Sequence, residues 1–232
     1  MAFTKSYSWL LFDADGTLFD YDLAEAKALA GAFTDLGLRF EADTIPTYRK
    51  INAQVWLDFE QGKISALALR TLRFERLFQA LDMQADSNVF SACYLRNLAQ
   101  AGDLMPGARE LLLDIQRRWR LGLITNGLKD VQRPRLARSG VGDCFEVVVI
   151  SEEIGVAKPD PLFFEHAFTL AGFPPRETVL VIGDSLSSDI RGGMDYGLDT
   201  CWFNPGNIPA DPQVPATYVI QQLNQLRALS GV

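Results

Sequence analysis

Apolar residues gather along this chain in short, nearly unbroken runs separated by longer amphipathic stretches. Trp9-Leu10-Leu11-Phe12, Leu121-Gly122-Leu123-Ile124, Phe145-Glu146-Val147-Val148-Val149-Ile150 and Val179-Leu180-Val181-Ile182 are four such runs, and Cys201-Trp202-Phe203 is a weaker fifth. Runs of this length suit strands buried on both faces, as in a parallel sheet. Between the later runs the spacing predicts helices. Pro106 to Trp119 carries Leu111, Leu112 and Ile115 on one side, with Arg117 and Arg118 near its end, where cations suit the dipole. Asp160-Pro161 reads as an N-cap followed by proline at the first helical position, with Phe163, Phe164, Ala167 and Phe168 behind it. Strands alternating with helices predict a doubly wound α/β core. Asn204 to Pro215 reads as a surface loop, followed by a short last strand over Tyr218–Ile220 and a terminal helix.

Residues 20–103 break the pattern. No strand-like run occurs there, and amphipathic spacing predicts helices over Asp22–Leu36, Thr47–Phe59, Ser65–Leu81 and Ser87–Ala99. The expected organisation is an α/β core made of residues 1–19 and 104–232, with an all-helical lobe, residues 20–103, inserted after the first strand. Gly102-Asp103 is the expected return hinge.

Charge and composition narrow the function classes. The 232 residues carry Lys+Arg 22 against Asp+Glu 29, a net charge of −7. Binding to a nucleic-acid polymer rests on neutralising phosphates with basic side chains, so that partner is disfavoured. A small anionic substrate remains compatible if a metal and a few lysines make one local positive site. Cys93, Cys144 and Cys201 stand far apart and read as buried reduced thiols. The apolar stretch Tyr7 to Phe12 is too short to span a membrane and is followed by acids, which predicts a cytoplasmic protein without a membrane partner. The sequence sets no oligomeric state.

The polar residues that follow the apolar runs carry the chemistry. Asp13-Ala14-Asp15-Gly16-Thr17-Leu18 places two carboxylates two residues apart where a buried strand surfaces. In an extended segment residues i and i+2 point the same way, so the two acids are expected to share one small space. That arrangement calls for a divalent cation, a proton-transfer step, or both. Thr125-Asn126-Gly127 follows the second run, Lys158-Pro159 comes soon after the third, and Gly183-Asp184-Ser185 with Asp189 follows the fourth. Taken singly, each has a plain reading as a cap, a turn or a solvated charge. Their co-occurrence is what points to a site, because parallel α/β sheets bind ligands outside the carboxyl ends of their strands.

In order and spacing, Asp13-x-Asp15-Gly16-Thr17-Leu18, Thr125-Asn126, Lys158-Pro159 and Gly183-Asp184 with Asp189 resemble the four sequence motifs of the haloacid dehalogenase superfamily. The resemblance spans nearly the whole chain and implies a Rossmann-like core with a helical cap. It implies an aspartyl-phosphate mechanism in which Asp13 is the nucleophile and Asp15 the general acid, then base. It further implies Mg²⁺ held by Asp13, the backbone carbonyl of Asp15, and Asp184, with Asp189 pairing Lys158 or holding a metal-bound water. Thr125, Asn126 (through its backbone N–H or its side chain) and Lys158 are the implied phosphate-binding residues. Dehalogenases of the family lack the second acid, so Asp15 argues for a phosphatase acting on a small phosphorylated metabolite.

Phe12 to Asp20 together with Ile124 to Gly127 are similar to the pyrimidine 5′-nucleotidase branch. The alternatives are a phosphatase for a small sugar or glycolate-type phosphate, and a non-catalytic binding or regulatory protein of the same fold. Phe19 and Tyr21 directly follow the first motif and are the candidates to face a nucleobase. The sole histidine, His166, is expected to pack within the Pro161 helix.

Overall fold

A computed structural model of the protein describes residues 5–230. The chain divides into two compact units, Met1–Tyr21 with Gly102–Val232, and Asp22–Ala101. Among the described residues no helix is long and apolar enough to cross a membrane.

The first unit is built on six parallel strands, β1 (Trp9–Phe12), β2 (Arg120–Thr125), β3 (Val147–Ile150), β4 (Val179–Gly183), β5 (Asp199–Phe203) and β6 (Tyr218–Ile220), in the order β3-β2-β1-β4-β5-β6. Both faces of the sheet are covered, which is why its inner strands are apolar without alternation. Leu10, Phe12, Leu121, Leu123, Leu180 and Ile182 pack on one side with Ala108, Leu111, Leu112 and Ile115. Trp9, Leu11, Ile124, Val147, Val149, Val179 and Val181 pack on the other with Phe163, Phe164, Ala167 and Phe168. The strand order reverses between β1 and β4, and the crevice outside the carboxyl ends at such a reversal is where doubly wound sheets take their ligands.

The second unit is helical: α1 (Tyr21–Asp35), α2 (Thr44–Glu60), α3 (Ala66–Ala80) and α4 (Ser87–Leu98). Ser65 caps α3, its side chain accepting from the Ala68 N–H at 3.2 Å, and Asp86 caps α4 by accepting from Asn88 and Val89. The core is aromatic. Tyr48 and Phe74 stack at 5.6 Å, and Phe33, Phe78, Phe90 and Tyr94 are buried around them. Arg73 is also buried, its guanidinium 5.0 Å from the Phe74 ring centre and 5.1 Å from that of Tyr94.

The helices of the first unit are α5 (Ala108–Ile115), α6 (Lys129–Ser139), α7 (Ser151–Ile154), α8 (Pro161–Ala171), α9 (Arg191–Asp195) and α10 (Gln225–Ser230). In α8 the Asp160 side chain accepts from the Leu162 N–H at 2.9 Å, and Gly172 ends the helix at φ +80°. Two expectations are corrected, and α6 is not among the expected helices. The helix expected over Pro106–Trp119 is confined to Ala108–Ile115, because the Arg118 and Trp119 N–H groups both turn back onto the Ile115 carbonyl. α6 has no counterpart in the apolar pattern, since its buried face includes Gln132, Arg135 and Ser139 and it holds Pro134. His166 is exposed on α8, facing away from the stripe formed by Phe163, Phe164, Ala167 and Phe168.

Candidate active site

Four strand ends deliver polar residues to one place. The Asp13 N–H still donates to the Ile182 carbonyl of β4 at 2.8 Å, so Asp13 stays laddered to the sheet. The chain then turns: the Leu18 and Phe19 N–H groups both bond the Ala14 carbonyl, and Gly16 adopts φ +82°. A Cβ at Gly16 would lie 2.5 Å from Asp184 Oδ2, so this position needs glycine both for its left-handed backbone and for space.

Asp13, Asp184 and Asp189 each offer a carboxylate oxygen, and these lie within 4.8 Å of one another. Lys158 is buried among them. Its Nζ donates to Asp13 Oδ1 at 2.6 Å, to Asp189 Oδ1 at 2.6 Å and to the Ile124 carbonyl at 2.8 Å, which uses all three of its protons. Burial works against that ammonium, but the two carboxylates outweigh it and hold Lys158 charged. Burial also pushes Asp13 well above the usual carboxylate range, against the pull of Lys158 and with the repulsion of Asp189 and Asp184. Asp184 is pushed up to about 7, chiefly by burial and then by Asp189. Ionising all three carboxylates against one ammonium would leave two uncompensated negative charges in an all-oxygen set, which is what burial and repulsion oppose. Such a set has the donor chemistry and charge a hard divalent cation requires.

The remaining expected residues fall as follows. Thr125 is buried at the end of β2, and its Oγ1 accepts from the Gly127 N–H at 3.0 Å. The Asn126 side chain clamps the Lys158 backbone, donating to its carbonyl at 2.8 Å and accepting from its N–H at 2.7 Å. That side chain therefore fixes the Lys158 loop and is already engaged, which leaves the backbone N–H as the group Asn126 can offer. Asp189 bonds both Lys158 and, through Oδ2, the Ser185 N–H at 3.1 Å.

Two expectations fail on geometry. Asp15 does not join the cluster with Asp13, because the turn at Ala14 ends the extended backbone. Its carboxylate goes instead to Arg135 Nη1 and to Gln132 Nε2, the latter at 2.5 Å. Phe19 does not face a ligand: it is 1% exposed, lies in the core against the sheet, and carries the Arg135 guanidinium 4.5 Å from its ring centre. Tyr21 is half-buried at the start of α1. Gln132 and Arg135 are the polar residues that sequence reasoning missed. The only signal for them is their spacing of three, which puts both on one helix face.

Residues 7–197 match the family model described as haloacid dehalogenase-like hydrolase. The chain belongs to the haloacid dehalogenase-like hydrolases. Among its relatives in this family is the pyrimidine 5′-nucleotidase YjjG of Escherichia coli, 36% identical over 96% of this chain and 97% of the relative. Another is the pyrimidine 5′-nucleotidase PynA of Streptococcus pneumoniae, 39% identical over 95% and 93%. The magnesium-bound crystal structure of YfnB from Bacillus subtilis superposes with a TM-score of 0.94 at 36% identity, covering 98% of this chain and all of the other.

Proposed function

We propose that this hydrolase is a Mg²⁺-dependent phosphomonoesterase that removes phosphate from pyrimidine nucleoside 5′-monophosphates through an aspartyl-phosphate on Asp13. The observation that carries the reading is the buried Asp13–Lys158–Asp189 arrangement beside Asp184, at the reversal of the strand order. Asp13, Asp184 and the backbone carbonyl of Asp15 would hold the cation. When bound it would neutralise the cluster and the substrate phosphate and let two anions approach.

In the first half-reaction an Asp13 carboxylate oxygen forms a bond to phosphorus as the ester P–O bond breaks. Asp15, as general acid, gives a proton to the leaving oxygen. In the second half, water attacks the same phosphorus, its proton returns to Asp15, and the bond to Asp13 breaks to release inorganic phosphate. Lys158 fixes one oxygen of Asp13 and supplies positive charge where negative charge accumulates. The Thr125 hydroxyl and the Asn126 backbone N–H are the donors for the phosphoryl oxygens. The choice of a pyrimidine nucleotide rests on the two named relatives, which this chain matches over nearly their full length.

A phosphate-release screen tests the reading. UMP and dTMP are expected to give a higher kcat/KM than ribose 5-phosphate or phosphoglycolate, and excess chelator is expected to remove turnover until Mg²⁺ is restored. Equal kcat/KM across the classes would reject the nucleotide assignment, and full activity in chelator would reject the metal.

A further inference from the structure

Asp15 is gripped by one face of α6. Gln132 and Arg135 stand one helical turn apart and are buried, at 1% and 0% exposure. Gln132 Nε2 donates to Asp15 Oδ2 at 2.5 Å and Arg135 Nη1 donates to Oδ1, so each carboxylate oxygen has its own donor and the plane of the group is fixed. Whenever Asp15 is ionised its carboxylate only accepts, so the amide must turn its NH₂ toward it. The same placement leaves Gln132 Oε1 buried with no hydrogen-bond partner among the described residues. An aliphatic side chain would avoid that penalty, so packing does not explain the amide and Asp15 does.

Two neighbours serve this grip. A Cβ at Gly127 would lie 2.2 Å from Gln132 Nε2, 2.7 Å from its Cγ and 2.8 Å from its Cδ. The space left by this glycine is the space Gln132 uses to reach Asp15. On the other side, the Phe19 ring is the floor on which the Arg135 guanidinium rests.

We propose that Gln132 and Arg135 are positioning residues that aim the Asp15 carboxyl group at the leaving oxygen, and that Gly127 acts with them by leaving room for the Gln132 side chain. The proposal rests on the reading of Asp15 as the acid–base group. A proton donor must be within hydrogen-bond reach as the ester bond breaks, and a group held at both oxygens keeps that aim.

The test compares leaving groups, with Mg²⁺ saturating. The kcat/KM value reports the steps up to transfer onto Asp13. The alkoxide leaving from UMP needs a proton as it departs, whereas p-nitrophenolate does not. Gln132→Leu is expected to lower kcat/KM for UMP about 10–100-fold, with KM nearly unchanged. It should lower the value for p-nitrophenyl phosphate at least tenfold less and keep its thermal midpoint. Equal losses on the two substrates, or none on either, overturn the proposal.

Asp15→Asn runs beside it. If that variant shows no leaving-group discrimination, the acid–base reading itself fails. If Asp15→Asn discriminates and Gln132→Leu does not, only the positioning role fails. Gly127→Ala is expected to reproduce the discrimination and to lose its penalty in a Gln132→Ala background, where the atoms it would strike are gone. An additive penalty removes Gly127 from the proposal. Should Gln132→Leu not fold, Arg135→Lys gives the same readout, since it keeps the charge and loses the planar fork.

Discussion

Asp13→Asn is expected to lower kcat at least about 10⁴-fold while the protein keeps its fold and its thermal midpoint within a few degrees. The two halves of that result have separate causes. The amide is nearly isosteric with the carboxylate but cannot form the phosphoryl ester, so the route through a covalent intermediate closes. Removing one member of a buried ion pair ordinarily costs about 3–5 kcal/mol because it strands the other charge. Here Lys158 keeps Asp189 at 2.6 Å and the Ile124 carbonyl at 2.8 Å. The lost attraction is further offset by relief, since burial and the Asp189 and Asp184 carboxylates already oppose ionisation of Asp13. Single-turnover phosphate release and thermal unfolding measure the two halves, and turnover near wild type would take the nucleophile role away from Asp13.

Lys158→Met is expected to do the reverse to stability. It leaves Asp13, Asp184 and Asp189 crowded together with no ammonium between them. A loss of about 3–5 kcal/mol follows, which for a chain of this size lowers Tm by roughly 10 °C. Activity is expected to fall about 10²–10³-fold, as when one fixed electrostatic partner of a transition state is removed. Added Mg²⁺ should raise the Tm of the variant more than that of the wild type, because the cation then supplies the only positive charge in the cluster. An unchanged Tm in Lys158→Met would mean that the carboxylates do not repel as their burial implies.

The strands were readable because a parallel sheet covered on both faces demands unbroken apolar runs, and Trp9–Phe12 and Val179–Gly183 obey that demand. The positions of Asp13, Thr125 and Asp184 follow directly, since each lies at or just beyond the end of a run. What could not be read is whatever depends on polar burial. α6 presents Gln132 and Arg135 inward instead of an apolar stripe, so the periodicity that reveals α8 is silent there. The direction of Asp15 depends on the local turn at Ala14 and on the distant donors of α6, and rules for extended chain misplace it. Phe19 looked available because it follows a polar loop, yet the isolated pairing of Phe19 with Leu104 and Asp15 folds it into the core. His166 shows the converse error: neighbours in sequence were apolar, but its own angle on the helix points outward.

Asp13 meets Lys158 across 145 residues of chain and Asp189 lies further still toward the carboxyl end. A chain that ends before β4 therefore carries Asp13 and Lys158 without Asp184 and Asp189, and the cluster closes only when those late residues are present.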